Sequence, residues 1–303
     1  MPEIITQPNT ADRIVVGYDG SRPATDAVAY AAQLARQRER TLLIIMASAH
    51  LNPKNPQTAR ALAIDEDYIL NVRTRMRRKL ESLYDKLTKQ HPDRPLELAL
   101  VADDPAGALA EASRDAYLVV VGARGITAGG RSPVLGQVSN NVVTHAHGPV
   151  MVVPEGAHAL AGNPVMVGLQ DAPESIAAAE LAFQEADVRG VPLVLCYVWD
   201  QSFEYQDFEM PVEVDVEEVT KSLDHMLTKL AAPMAQKYPN VKVSNRVLRG
   251  RPTDVLAAAS TNASLLVIGS RGLGGFRGLL LGSTSRHLVR LASCPVLIVR
   301  KAR

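Results

Sequence analysis

Short apolar runs alternate with longer amphipathic stretches along this chain, and the whole alternation occurs twice. In the first half the apolar runs are Arg13-Ile-Val-Val-Gly-Tyr18, Leu42-Leu-Ile-Ile-Met46, Leu96–Val101, Leu118–Val121 and Val150–Val153. The stretches between them carry helical spacing. Ala27, Val28, Ala31, Leu34 and Ala35 stripe a helix predicted from about Ala24 to Arg38, behind a capping turn at Asp19-Gly-Ser21. A long helix is predicted over Asp67–Gln90, a third opens at Pro105 and a fourth lies near Val138–Ala146. The second half repeats the order, with strands at Val165–Leu169, Leu193–Val198, Val241–Leu248, Leu265–Ile268 and Val296–Val299. Its helices are Ile176–Arg189, Val216–Tyr238, Thr253–Ser260 and Ser285–Leu291. Continuous apolar strands separated by helices indicate parallel sheets with helices on both faces, so the predicted class is α/β.

The repetition extends to residue identities. Shifted by 147, Pro105–Gly125 lies on Pro252–Gly272 with eleven identities in twenty-one positions. Shifted by 146, Ala146, Pro149 and Val150 fall on Ala292, Pro295 and Val296. Shifted by 151, Val16-Gly17, Ala27 and Ala31 fall on Val167-Gly168, Ala178 and Ala182. A period near 150 residues is the length of a domain rather than of a solenoid repeat. Two homologous domains are therefore predicted, 1–156 and 162–303, joined through the small-residue stretch Pro154–Asn163.

Composition narrows the options without naming one. With 47% hydrophobic residues in 303, each half can bury a substantial core. A formal charge of +1 offers no electrostatic case for nucleic acid as a partner. No apolar run approaches the ~20 residues that span a bilayer, and Met1-Pro-Glu-Ile-Ile-Thr6 lacks the basic-then-apolar pattern of a secretory leader. A cytoplasmic location without membrane contact is the expectation. Cys196 and Cys294 stand in apolar, strand-like contexts and are expected as buried free thiols.

Candidate chemistry concentrates after the fourth strand of each half. In the second, Gly269-Ser-Arg-Gly272, nine residues and Gly282-Ser283-Thr284 connect an apolar strand to a helix. Glycines admit an anion close to backbone N–H groups, and a helix N-terminus offers free donors with a favourable dipole. Ser283 and Thr284 add hydroxyls and are expected to cap the helix. The first half has the same phrase in weaker form: Gly122-Ala-Arg-Gly125, ten residues, then Gly136-Gln137. In parallel sheets ligands sit beyond the carboxyl ends of the strands, which pairs this loop with the turn after the first strand, Asp19-Gly20 in one half and Gln170-Asp171 in the other.

Val16-Gly-Tyr-Asp-Gly-Ser21, Leu118-Val-Val-Val-Gly-Ala-Arg-Gly125 and Leu266-Val-Ile-Gly-Ser-Arg-Gly272 with Gly282-Ser283 resemble the universal stress proteins in their tandem form. The resemblance spans nearly the whole chain. It implies Rossmann-like domains of the adenine nucleotide alpha hydrolase type, each a five-stranded parallel sheet of order 3-2-1-4-5. The family's ATP-binding subgroup carries Gly-x2-Gly-x9-Gly-Ser/Thr, matched by Gly269, Gly272, Gly282 and Ser283, with Arg271 inside the motif. By the same resemblance Asp19 and, in altered form, Gln170 hold the adenine end, while Ala47 and Val198 border the base. The implied cofactor is ATP with Mg. The last strands, Val150–Val153 and Val296–Val299, are expected to join the halves as a pseudo-dimer, with a homodimer of chains as a further option.

The departures are unequal. The first half keeps Asp19-Gly20-Ser21, but its loop is one residue longer, which is expected to displace Gly136, and Gln137 replaces a hydroxyl. The second half keeps the loop and has Gln170-Asp171-Ala172 at the adenine end, where the Gln170 amide can still donate and accept. Neither a P-loop nor a dinucleotide fingerprint is present, since no Gly-Lys pair occurs and Arg277 stands where the third glycine belongs. Arg124 and Arg131 in one half, and Arg271 and Arg277 in the other, could neutralise phosphate charge, but no general base accompanies them. The reading is an ATP-binding stress-response protein whose occupancy modulates interactions. A slow ATP-hydrolysing enzyme and a nucleotide-free interaction protein remain alternatives. The basic run Arg73, Arg75, Arg77, Arg78, Lys79 and the acidic segment Asp200–Glu218 are read as solvated surfaces; the sharper option is an acidic partner for the first, and for the second a lid over the second-half site or a dock for the basic helix. The pair His145 and His147 reads as a helix terminus rather than a metal site.

Overall fold

The computed structural model describes residues 2–52, 65–90, 95–125, 135–156, 162–172, 174–200, 215–270 and 281–300. They form two compact units, 1–156 and 157–303.

The first unit runs β1 (Ile4–Ile5), β2 (Ile14–Gly17), α1 (Arg22–Gln37), β3 (Leu42–Ala47), α2 (Glu66–Gln90), β4 (Leu96–Val101), α3 (Pro105–Ala112), β5 (Leu118–Gly122), α4 (Gln137–His145) and β6 (Val150–Val153). Its strands lie parallel in the order β1-β4-β3-β2-β5-β6. The last five reproduce the expected 3-2-1-4-5 order. Strand β1 is an addition outside β4, with Ile4 opposite Leu98 and Ile5 opposite Ala99. Two isoleucines are too short a run to register as a period-2 pattern, so the sequence reading missed it.

Local sequence explains why the site-bearing elements form where they do. Ser21 caps α1, its Oγ accepting from the Ala24 N–H at 3.2 Å, and Pro23 occupies the first turn, where no N–H is needed. The predicted stripe Ala27, Val28, Ala31, Leu34 and Ala35 is buried, and α1 packs on β2 and β5. Every residue of β5 and β6 is buried, as a strand covered on both faces requires. Burying each of these Val and Leu side chains stabilises the fold by about 1.5–3 kcal/mol before the entropy of ordering is subtracted.

The second unit runs β7 (Val165–Leu169), α5 (Glu174–Arg189), β8 (Leu193–Trp199), α6 (Val216–Lys237), β9 (Val243–Arg249), α7 (Pro252–Ala259), β10 (Leu265–Gly269), α8 (Ser283–Leu291) and β11 (Val296–Val299). The parallel order is β9-β8-β7-β10-β11, again 3-2-1-4-5. Phe183 on α5 is its largest fully buried side chain and stacks on Tyr238. On the same helix Glu185 and Arg189 form a buried pair, with Oε2 accepting from Nε and Nη2 at 3.1 and 3.0 Å.

Cys196 and Cys294 are buried and free. Desolvation pushes both thiols up to about 12, which leaves almost no thiolate near neutral pH. Neither should react with iodoacetamide in the native protein at about pH 8, while the denatured chain labels at both. Mass spectrometry of the labelled protein checks this, and rapid native labelling would mean that β8 or β11 opens readily.

Candidate functional site

In the first unit the turn after β2 and the loop after β5 meet. Asp19 Oδ1 accepts from the Ser21 N–H at 2.8 Å, which ties the turn. Asp19 Oδ2 lies against Gly125, where a Cβ would stand 2.8 Å from it. Gly20 has φ +88°, the left-handed region that favours glycine. On the other side of the turn, Lys79 Nζ donates to the Asp19 carbonyl at 3.3 Å. Ala47 ends β3, two residues beyond Ile45, whose carbonyl accepts from the Tyr18 N–H. Asp19, Gly20, Ala47, Gly122 and Gly125 therefore gather at the carboxyl ends of adjacent strands, as the topology requires.

Two bonds hold the described ends of the loop, one to β6 and one to the cap of α4. Ala123 N–H donates to the Val153 carbonyl at 2.8 Å, and Gly136 N–H donates to the Ala123 carbonyl at 2.8 Å. Gly136 is the N-cap of α4 and no side chain caps the helix. The first helical bond is from Asn140 N–H to Gly136 O, so helix geometry leaves the N–H groups of Gln137, Val138 and Ser139 without an intrahelical acceptor. They lie at the positive end of the helix dipole. Arg124, inside the loop, lies 3.7 Å from Glu155.

The second unit builds the same cradle bond for bond. Ser270 N–H donates to Val299 O, Gly282 N–H donates to Ser270 O, and Arg286 N–H donates to Gly282 O. Gly136 is thus placed by the same bonds as Gly282, contrary to the displacement expected from the longer loop of the first unit. A second expectation is also corrected. Ser283 and Thr284 do not cap α8; Gly282 occupies the cap and the two residues form the first helical turn. The Gly282 N–H bonds to Ser270 O, and Ser283 and Thr284 belong to the first turn, whose N–H groups have no intrahelical acceptor.

At the other end of this site Gln170 follows β7, and the pairing of Leu169 with Tyr197 places it next to Val198. The turn is held differently from that of the first unit. Ser175 Oγ accepts from the Gln170 N–H at 3.0 Å and donates to the Gln170 carbonyl at 2.6 Å. Val198 is nearly enclosed, and the neighbouring Trp199 lies under the Arg249 guanidinium, 5.6 Å from ring centre. Arg271 and Gly272 fall outside the described residues, as do Arg131, Arg277 and most of the acidic segment. Gly269, at the end of β10, is described.

The universal stress protein family model matches residues 10–154 and again 163–300. The chain belongs to that family. A universal stress protein of Mycolicibacterium smegmatis is 34% identical over 301 residues, covering 98% of this chain and 99% of that protein. One from Mycobacterium tuberculosis is 31% identical over 309 residues, with 98% and 100% covered. Among solved structures, a universal stress protein from Archaeoglobus fulgidus aligns over 97% of this chain and 98% of its own with a TM-score of 0.64 at 17% identity, a likeness of fold.

Within this universal stress protein the structure assigns two residues that the motif reading passed over. Ser139 Oγ donates to the Gly122 carbonyl at 2.6 Å, and Ser285 Oγ donates to the Gly269 carbonyl at 2.7 Å. Both are buried on the third position of their helices. Each ties the first glycine of the loop to the helix that ends it. The signal was present, since Ser139 falls on Ser285 at the shift of 146 that aligns the closing segments. Ser285→Ala should cost about 1–3 kcal/mol by leaving a buried carbonyl unpaired, and Ser139→Ala should cost a similar amount. Denaturant midpoints measure both; a neutral Ser285→Ala would mean that the loop does not depend on this tie.

Proposed function

We propose that this universal stress protein binds ATP in each unit and that occupancy of the loop changes the surface offered to partners. The observation that carries the reading is the start of α8. Gly282 caps the helix without a side-chain bond, the first-turn N–H groups lack intrahelical acceptors, and Ser283 and Thr284 bring hydroxyls to that same turn. A triphosphate would lie there, with the ribose toward Gly269 and the adenine ring toward Gln170 and Val198. In the first unit the same arrangement uses Gly125, Gly136 and Gln137 for the phosphates and Asp19, Gly20 and Ala47 for the nucleoside, while Gly122, packed against Pro23, sets the start of the loop. The second site should bind more tightly, because Ser283 presents a compact hydroxyl where Gln137 presents a longer, costlier amide.

The residues present fit a Mg ion only as a companion of the phosphates. Among the described residues no group of three or more His, Cys, Asp or Glu side chains could hold a metal. Mg would take phosphate oxygens, water and the Ser283 or Thr284 hydroxyls, its usual manner at phosphate sites. Among the described residues no helix is long and apolar enough to cross a membrane. A triphosphate bound at the start of α8 would change the charge and shape of the surface between β10 and α8, which supports a role for occupancy in signalling.

Equilibrium dialysis with labelled ATP tests the binding claim. Saturable binding of ATP, with adenosine and inorganic triphosphate each far weaker, is the expected outcome, because each satisfies only one end of the site. No saturable binding at ~1 mM ATP would overturn the proposal, since a site so weak would hold little nucleotide at cellular concentrations.

A further inference from the structure

We infer that the first unit carries a second binding site, separate from the glycine-loop site, for a small organic carboxylate with an apolar body. A cavity of about 610 Å³ opens at the carboxyl ends of β1 and β4, a volume usual for small-molecule sites. None of its lining residues belongs to the loop or to the turn after β2. Its apolar wall is Ile4, Leu51, Leu100 and Val101, of which Leu51 and Leu100 are buried. Two guanidinium groups border that wall, Arg73 and Arg77, one helical turn apart on α2.

Charge and shape select the ligand class. Arg73 and Arg77 face a single carboxylate of the lining, Asp103, and Arg77 is shared with Glu81 at 3.3 Å. Counted over the lining alone, Arg73 and Arg77 against Asp103 leave one positive charge, with Glu81 drawing on Arg77 from outside the cavity, which suits a monoanion and is too little for a polyphosphate. A carboxylate accepts bidentate hydrogen bonds from a guanidinium, and the apolar wall takes an aryl or branched aliphatic body. Thr6 and Asn52 add neutral polar groups at the edge of the same cavity.

The cavity owes its outer wall to β1. That strand lies beyond the five-stranded pattern that both units share, and among the described residues β9 has no such neighbour in the second unit. Ile4 pairs with Leu98 on β4, and the chain then passes along the cavity through Thr6 and Gln7. The two-residue strand thus closes a pocket that the repeated fold alone would leave open. The basic run on α2 divides in consequence. Arg73 and Arg77 line this cavity, whereas Arg75, Arg78 and Lys79 line a different hollow beside Tyr18.

Fluorine NMR of 4-fluorobenzoate with the full-length protein tests the site, with 4-fluorobenzyl alcohol and fluoroacetate as probes lacking the charge or the apolar body. The expected result is saturable binding of 4-fluorobenzoate that exceeds both controls. It should weaken at least about tenfold in the Arg73→Gln/Arg77→Gln double variant and be unchanged in Arg75→Gln/Arg78→Gln. Circular dichroism of both variants should match the parent, and excess ATP should not displace the probe. Equal binding of the alcohol, full retention in the Arg73/Arg77 variant, displacement by ATP, or no saturation by ~10 mM probe would each overturn the assignment.

Discussion

Gly282→Val should remove ATP binding from the second unit while leaving its fold intact. The residue has φ −69° and ψ 156°, an extended conformation open to any side chain, so the substitution brings no backbone strain. What it brings is a branched side chain at the mouth of the N–H cradle, against the first turn of α8. Oxygens of a phosphate held by backbone N–H groups need an approach of about 2.7–3.2 Å, which a valine side chain obstructs. Affinity should fall at least about 100-fold, or ~2.7 kcal/mol. Titration calorimetry on the variant measures the loss, and its thermal midpoint should stay within about 2 °C of the parent. Unaltered affinity would move the phosphates away from α8. Gly136→Val provides the parallel test in the first unit, where a Cβ would lie 3.4 Å from Arg124 Cα and Gly125 N, a tolerable contact.

Gly122→Ala should fail for a different reason. Sequence reasoning placed Gly122 among the nucleotide-binding residues, as the first glycine of the loop. The structure surrounds it with protein: a Cβ would stand 2.8 Å from the Pro23 carbonyl oxygen and 3.0 Å from its carbon. Those atoms belong to the first turn of α1, which Ser21 caps and Pro23 stiffens, so the neighbour cannot yield cheaply. Gly122 allows α1 to approach β5 closely enough for the stripe Ala27, Val28 and Ala31 to pack. One methyl group forced into this contact should cost about 2–3 kcal/mol, or roughly 5–10 °C in the midpoint of the first unit. Calorimetry reads that shift. An unshifted midpoint with lost ATP binding would instead return Gly122 to the list of phosphate contacts.

The two glycines illustrate what was legible in the sequence. Strand and helix positions followed from apolar runs and stripes because a parallel sheet buried on both faces leaves little freedom in those positions. Topology followed from the alternation and the family resemblance together. The position of the glycine loops was also legible, because Gly-rich segments between strand and helix have few other uses. What each glycine does there was not, because it depends on atoms distant in sequence, such as Pro23 beside Gly122 or Asp19 beside Gly125. The same holds for Ser175, whose hydroxyl accepts from the Gln170 N–H and donates to the Gln170 carbonyl, a pair of hydrogen bonds that no motif encodes. Lys79 was readable only as part of a basic run, and its bond to the Asp19 carbonyl needed the long helix α2 to be set in place. Strand β1 was hidden by its shortness, and the cavity that it closes was hidden with it.

An adenine nucleotide is the proposed occupant of the cradle at α8. The most direct measurement is to purify the protein without added ligand, denature it and identify what is released. The expected release is ATP, about one per chain where only the tighter second site stays filled and two where both do, with the second-site share absent from Gly282→Val. Release of ADP would favour turnover over stable occupancy. No nucleotide on release, together with no uptake of added ATP, would contradict the claim and leave the fold without the function proposed for it.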